Sequence, residues 1–535
     1  MTRPLIGKRQ PAGERPPPAR LRLDRFGPLA SVDWVAVAWI IALFLAPLLL
    51  AGIIDRALPV FRPVLLAVIV TMPVVFAAFY PRPAVVVAVL IVWFAFHKVI
   101  VALFAPIMSD TSVAWTYNAK EALYMALGLA CVVIAPRVTE PGRGLLAGMA
   151  AMLRRLRLAD WMAVALIGLV AVYFVISIAV GLELQGVLVY ARRFASLPIL
   201  FLIGRLLLSS PGQLERAMRV FVWVSVIVAT VGLLERLVFG DAFWRNTVGI
   251  DRIFHILSDE GFTSDNARLR EGMPANWFSY IGQVPVRRLV STFFEPTGLA
   301  MSLALALGIA AFGLPSLRAR RALWLGGLVI IGAALLLTIG KAGYLVALII
   351  GVVTLLRATR RSAPIVLVAI GLVVVGLLVL SPVLPLGENV ARHIRGLTSG
   401  MLHLLEAPLG AGLGSTGFWG ERPSVGSDST VGVLVSQIGF VGGGLWLGWL
   451  LSTAWLLLPD SSATPDPAAT TLRRTLAAAI VALAIVSVLS NSASGLLAGA
   501  FFALFSGWAI ASFVVPLAHP PPARNRPDPE SMPPG

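Results

Sequence analysis

Long apolar runs, broken by short clusters of Arg and by two long polar stretches, fill the chain from residue 33 to residue 515. A helix needs roughly 20 mainly apolar residues to cross the hydrocarbon core of a membrane. Runs of that kind fall at residues 33–54, 63–79, 84–105, 119–136, 161–181, 187–208, 220–239, 293–314, 322–339, 342–356, 364–383, 431–458, 472–489 and 496–515. The pattern predicts an all-α polytopic membrane protein with about fourteen transmembrane helices. Its parts are a basic, Pro-rich tail (1–32), N-terminal helices (33–239), a first long loop (240–292), central helices (293–383), a second long loop (384–430), C-terminal helices (431–515) and a disordered tail (516–535).

Composition agrees with this reading: 58% of residues are hydrophobic, 13% are charged and the mean hydropathy is +0.88. Soluble chains lie nearer 45–50% apolar and 25% charged. Lys and Arg in short loops are retained on the cytoplasmic side. The tail before residue 33, the Arg-rich stretches 137–157, 216–219, 318–321, 357–361 and 473–474, and Arg524 and Arg526 all fall on one side when the spans are counted. Both termini are therefore expected in the cytoplasm, with both long loops on the outer side of the membrane. The net charge of +17 follows from that topology and from contact with anionic membrane lipids, so nucleic acid is not expected as a partner. The Pro-rich tail precedes a first span too long for a signal-peptide core and is expected to stay attached.

Several chemistries lack their residues. The single cysteine, Cys131, lies in an apolar run, which leaves no intramolecular disulfide and no thiolate cluster. The five histidines show no pairing at i, i+4, so the spacing of zinc hydrolases is missing. Gly412-x-Gly414-x-x-Gly417 matches a dinucleotide fingerprint in letters only, since no βαβ pattern surrounds it. Gly340-Lys341 lacks the glycine and the Ser/Thr of a phosphate loop. No metal site and no cofactor are expected.

The charges that remain collect on the outer side. The first loop contains "DRIFHILSDEGF", an amphipathic piece suited to a short helix at the membrane surface; the second contains "ENVARHIRGLTSGMLHLLEAP", readable as a helix carrying Arg392, His393 and Arg395, then a Gly-rich turn. Arg192 and Arg193 stand in the outer third of a span, where Arg facing lipid costs on the order of 1–3 kcal/mol, so the pair points to a lined cavity. His97, Lys98, Glu235, Arg236 and Lys341 lie at a similar level. In "RRLVSTFFEPTGLAM", Arg287, Arg288 and Glu295 stand where the first loop re-enters the membrane. Guanidinium groups suit a lipid-linked diphosphate because they donate bidentately and keep their charge when desolvated. A carboxylate beside them can take a proton from an attacking hydroxyl. The bland alternatives are snorkelling cations and a structural Arg288–Glu295 pair with Pro296 opening a helix.

The segments "RRLVSTFFEPTGLAMSLALALG", "LLLTIGKAGYLVALIIG", "EAPLGAGLGSTGFW" and "SDSTVGVLVSQIGFVGGGLWLGWLL" resemble, in that order, the bacterial O-antigen polymerase and O-antigen ligase superfamily over residues 187–458. The resemblance implies a multi-pass glycosyltransferase of the GT-C type in a bacterial inner membrane that uses undecaprenyl-diphosphate-linked glycans at the periplasmic face, with a chain-length regulator and a flippase as companion proteins. Arg287 and Gly298 match the spacing of Arg, ten residues, Gly described for polymerase loops. The ligase signature, His-x-x-x-Leu with a Gly seven positions on, would place its His at Asp428 and its Leu at Gly432 when the Gly is set at Gly439. Its absence favours the polymerase branch. The expected roles are Glu295, then Asp428, as base; Arg192, Arg193, Arg287, Arg288 and Lys341 on the diphosphate; and Arg392, Arg395, Gly412 and Gly414 as loop groups near the substrate. The alternatives are a ligase or protein-glycosylating relative, and a transporter of lipid-linked oligosaccharides, for which internal repeats and midplane charges are not seen.

Overall fold

The computed structural model describes residues 82–139, 144–207, 211–259, 269–270, 272–281, 284–314, 321–357, 387–426, 428–459 and 467–514, together with a few isolated positions. The runs at 33–54, 63–79 and 364–383 lie almost wholly outside the described residues. The described chain is helical, with two small β-hairpins. Its helices are α1 (Pro83–Phe104), α2 (Asp110–Thr139), α3 (Leu145–Arg155), α4 (Leu158–Ala179), α5 (Leu184–Leu206), α6 (Pro211–Leu234), α7 (Ile250–Asp259), α8 (Pro296–Gly308), α9 (Arg321–Leu337), α10 (Lys341–Leu355), α11 (Gly387–Glu406), α12 (Thr430–Leu457), α13 (Pro467–Leu489) and α14 (Leu496–Phe513).

Seven of the described helical segments are long and apolar enough to cross a membrane: Pro83–Ile107, Leu158–Ala179, Leu184–Leu206, Pro211–Val248, Pro296–Gly313, Thr430–Leu457 and Pro467–Leu489. Shorter apolar helices occupy Leu123–Arg137, Arg321–Leu337, Lys341–Leu355 and Ala498–Phe513. Together these make the protein an all-α membrane protein. Each apolar run read from the sequence within the described residues coincides with a helix, because length and hydropathy are what a hydrocarbon layer demands.

Close backbone approach holds the bundle's centre. α5 crosses α14 where a Cβ on Gly204 would strike the Leu504 carbonyl oxygen and one on Gly507 would strike that of Phe201. Apolar burial gives little drive between helices in lipid, so such small-residue contacts carry the packing. At one end, Asp160 accepts two hydrogen bonds from Arg205, at 2.7 and 2.9 Å, in a buried pair between α4 and α5. The same end carries Arg154, Arg155, Arg157, Arg216, Arg219, Arg321, Arg357, Arg473 and Arg474.

At the other end, α6 runs on through π-helical turns to Val248, and the amphipathic helix expected in the first loop forms as α7. The antiparallel hairpins β1–β2 (Leu269–Arg270, Met273–Pro274) and β3–β4 (Phe278–Ile281, Val284–Arg287) follow. Trp244, Trp277, Phe254 and Phe294 pack with Met108 and Val113 into a second small core over the α1–α2 turn. The helix expected in the second loop forms as α11.

Gly507→Ala is expected to lower the midpoint of thermal unfolding in detergent by several degrees, an overpacking cost of about 1–3 kcal/mol. Gly444→Ala, where an added Cβ meets nothing within 4 Å, is expected to change it by less than a degree.

Candidate functional site

The end opposite the Arg-rich one gathers the C-termini of α1, α4, α6, α9 and α13 and the N-termini of α2, α5, α8, α10, α12 and α14. Glu295 is the residue before α8, with Pro296 in the first turn, so its carboxylate stands at the positive end of the helix dipole. It is half-buried and, among the described residues, takes no side-chain hydrogen bond and joins no ion pair. Its charge acts on Lys98 of α1, on Arg193 of α5 and on Arg288. Four parts of the chain therefore bring charged groups to one place.

Each cation is held by its own scaffold. Arg193 lies over Trp419, its guanidinium carbon 4.4 Å from the ring centre. Its Nη2 donates to the Asn491 carbonyl oxygen (2.8 Å) and to Ser494 Oγ (3.1 Å) in the turn between α13 and α14. Arg192 pairs with Glu121 of α2 at 3.8 Å. Lys98, buried, points its Nζ at the Tyr117 ring, 5.0 Å from the centre. Arg288 donates to the carbonyl oxygens of Thr338 (2.8 Å) and Asn276 (3.3 Å) and to Thr297 Oγ1 (3.4 Å). Burial pulls its guanidinium down to about 10, with Glu295 and then Tyr344 opposing the shift, so it stays protonated at neutral pH.

Arg287 does a different job. Its guanidinium is buried against Trp277 and bonded to Glu235 and Asp241, and Glu235 also accepts from Trp244 Nε1 at 2.7 Å. Successive side chains of an extended strand point to opposite sides, so adjacent arginines separate: one ties β4 to the end of α6, the other turns toward Glu295. The Arg288–Glu295 relation is electrostatic at a distance, not a direct pair.

The remaining sequence-derived residues lie around this centre. Lys341 is exposed at the start of α10, just beyond the Thr338 carbonyl that Arg288 uses. Asp428 precedes α12; its backbone carbonyl accepts from His393 Nδ1 at 3.2 Å. Thr430 bonds to the Ser490 carbonyl, next to the turn that holds Arg193. Arg395 is exposed on α11, and Arg392 is on the same helix with its side chain outside the described ones. Gly412 and Gly414 have φ of +100° and +83° and give close approach, though to the protein itself: Gly414 abuts Gly186 and Val187 of α5, and Gly412 abuts Ser177 and Leu182. Sequence reasoning missed Tyr117, Glu121, Asn491 and Ser494, whose types carry no signal without their distant partners.

The backbone at this end is strained. Ser291, Phe294 and Ile339 have positive φ (48°, 56° and 48°), a conformation that costs a non-glycine residue on the order of 1–3 kcal/mol. Trp277 Nε1 donates to the Phe294 carbonyl at 3.0 Å, and Ser291 Oγ to that of Val228 at 2.7 Å, which holds the turn in place. Comparison of the chain with protein-family models and with curated proteins gives no match.

Arg288→Lys is expected to bind an anionic ligand normally at pH 6 and progressively less as pH rises above neutrality. The ordinary value of Lys is about two units or more below that of Arg, and the same burial lowers it further. Wild type is expected to keep its affinity over that range, as read by equilibrium binding in detergent. Glu235→Gln leaves Arg287 short of one buried charge partner and is expected to destabilise the fold by about 3–5 kcal/mol, measured by denaturation.

Proposed function

We propose that the protein is a polyprenyl-diphosphate-glycan glycosyltransferase that polymerises lipid-linked oligosaccharide repeats, of the O-antigen or exopolysaccharide kind, at the periplasmic face of a bacterial inner membrane. The observation that carries this reading is the half-buried, unpaired Glu295 among Lys98, Arg193 and Arg288, at the end of the bundle away from its Arg-rich loops. The order of motifs over residues 187–458 supports it. About fourteen spans, cytoplasmic termini and external loops at 240–292 and 384–430 belong to the same reading.

In this reading Arg193 and Arg288, with Lys98, bind the diphosphate of the donor and stabilise the charge that grows on it as the glycosidic C1–O bond breaks. Arg192 and Lys341 are placed at the margin, and Arg287 fixes the strand that presents Arg288. Glu295 takes the proton of the acceptor hydroxyl as its oxygen bonds to C1. The lipid diphosphate leaves with the bonding electron pair and supplies the driving force, so the scheme uses neither ATP nor a metal ion.

A second reading, transfer by a ligase or protein-glycosylating relative, is favoured by one contact. His393 of α11 comes within hydrogen-bond distance of Asp428, the position at which the ligase signature carries its histidine. A histidine thus reaches that place from another element.

Glu295→Gln is expected to abolish product formation from a purified lipid-linked repeat while leaving substrate binding within about threefold, because the amide keeps shape and polarity but accepts no proton. Asp428→Asn and His393→Ala are expected to reduce activity less. Full activity in Glu295→Gln together with its loss in His393→Ala would favour the ligase-like reading. EDTA is expected to leave turnover unchanged; loss restored by a divalent ion would rule out the metal-free scheme.

A further inference from the structure

The second long loop contains a helix that packs as helices do inside a membrane. Gly396 and Gly400 form a Gly-x-x-x-Gly face on α11. A Cβ on Gly396 would lie 2.8 Å from the Asp428 nitrogen, and one on Gly400 would strike the Gly432 carbonyl. Gly432 answers in kind, its Cβ position lying 2.8 Å from the Gly396 carbonyl oxygen. Backbone-to-backbone contact through small residues is the packing mode of helices in lipid.

The opposite face of α11 changes character along its length. Arg395 and Thr398 are exposed near the middle, whereas Met401, Leu402, Leu405 and, just past the helix, Leu409 are exposed by 47, 63, 79 and 67%. Glu406, on the same final turn, has its side chain 74% exposed and one carboxylate oxygen 3.1 Å from His403 Nδ1, so the apolar row includes one carboxylate at its edge. An apolar row of this size on a water-facing loop would be costly.

The turn after α11 gives the depth. The Leu409 carbonyl accepts from the hydroxyl of Tyr173, which lies within α4 six residues before its end at Ala179, about 9 Å inside the span at 1.5 Å per residue. Leu413 N donates to Ser177 Oγ of the same helix at 2.7 Å. α12 is broken at Ile438–Gly439, and Ala411 N and Gly412 N donate to the carbonyls of Ser436 and Gln437, at 3.0 and 2.9 Å. Irregular backbone is tolerated at membrane depth where neighbouring helices satisfy it, and these contacts do so. Val172, Val175 and Ile176 on α4, flanking or near Tyr173, and Phe440 and Val441 on α12, next to the break at Gly439, are exposed as well.

We infer that residues 396–414 form a re-entrant helix and turn, with Met401, Leu402, Leu405 and Leu409 immersed in the acyl region of the bilayer leaflet at the site end. The second loop is then an element of the membrane face beside the charged site, and only the segments before and after it are in water. This inference stands independently of the proposed reaction.

The test uses the nearly complete absence of cysteine: Cys131 is the one cysteine and is fully buried. Single cysteines replacing Thr398, Leu402, Leu405 and Leu409 are labelled with an environment-sensitive fluorophore and reconstituted in phosphatidylcholine vesicles. Leu336→Cys, on the exposed side of the apolar helix α9, is the lipid reference. Nitroxide on the lipid acyl chains is expected to quench positions 402, 405 and 409 as strongly as 336 and at least twofold more than 398, with iodide in the water showing the reverse order. Iodide quenching at 402, 405 and 409 equal to that at 398 would place the helix in water. Absence of quenching by either agent would mean that protein covers the face, and either result overturns the inference. On the unmodified full chain, a diazirine on the acyl chain of phosphatidylcholine is expected to label the peptide containing residues 401–409; its absence there, with α9 labelled, overturns the inference without any substitution.

Discussion

A carboxylate that has no direct partner among the described residues, set among desolvated cations, is the constraint around which this end of the molecule is built. Glu295 could collapse into an ion pair with any of Lys98, Arg193 or Arg288, and in a low-dielectric rim such a pair would be hard to separate. Each cation is instead anchored elsewhere: Arg193 by Trp419, Asn491 and Ser494, Arg288 by the carbonyls of Thr338 and Asn276, Lys98 by the Tyr117 ring. The result is a set of cations held in fixed geometry, which in the proposed reading the donor diphosphate offsets. Fixed donors that need no reorganisation are the arrangement that stabilises a developing anion most effectively.

Holding that arrangement requires the strained turns on either side. Phe294 and Ser291 precede Glu295, and Ile339 directly follows Thr338, whose carbonyl accepts from Arg288. The buried Arg287–Glu235 pair, with the half-buried Asp241 beside it, locks β4 to the end of α6, and the aromatic core of Trp244, Trp277 and Phe294 packs nearby. The described part of the first loop is therefore a small folded cap that fixes the backbone leading into Glu295. The second loop reaches the same centre from the other side by laying Trp419 on Arg193.

The helices were legible because a membrane asks only for length and apolarity, and α11 and α7 because their apolar positions recur at helical spacing. The hairpins were not, since four short strands of two to four residues leave no periodic signal. Glu295 and the cations around it could be picked out as charges in apolar surroundings. Their partners could not, because Asn491 lies 298 residues from Arg193 and has a side chain typical of any turn. Arg287 and Arg288 looked equivalent in sequence. Only the alternation of an extended strand, with Glu235 waiting on one side, assigns them different work. The glycines of the second loop suggested approach to a substrate; Gly414 approaches the backbone of α5 and Gly412 the side chains of Ser177 and Leu182, a distinction that needs the tertiary fold.

The central claim is that Lys98, Arg193 and Arg288 surround the diphosphate of the donor with Glu295 facing the acceptor. An electron cryomicroscopy structure of the full chain bound to a polyprenyl-diphosphate-linked oligosaccharide tests this most directly. Phosphate density within hydrogen-bond reach of Arg193 and Arg288, with Glu295 beside the first sugar, is the predicted result. Phosphate density at Arg395 and Lys341 only, or at the Arg-rich opposite end, with the Glu295 centre empty, would contradict it.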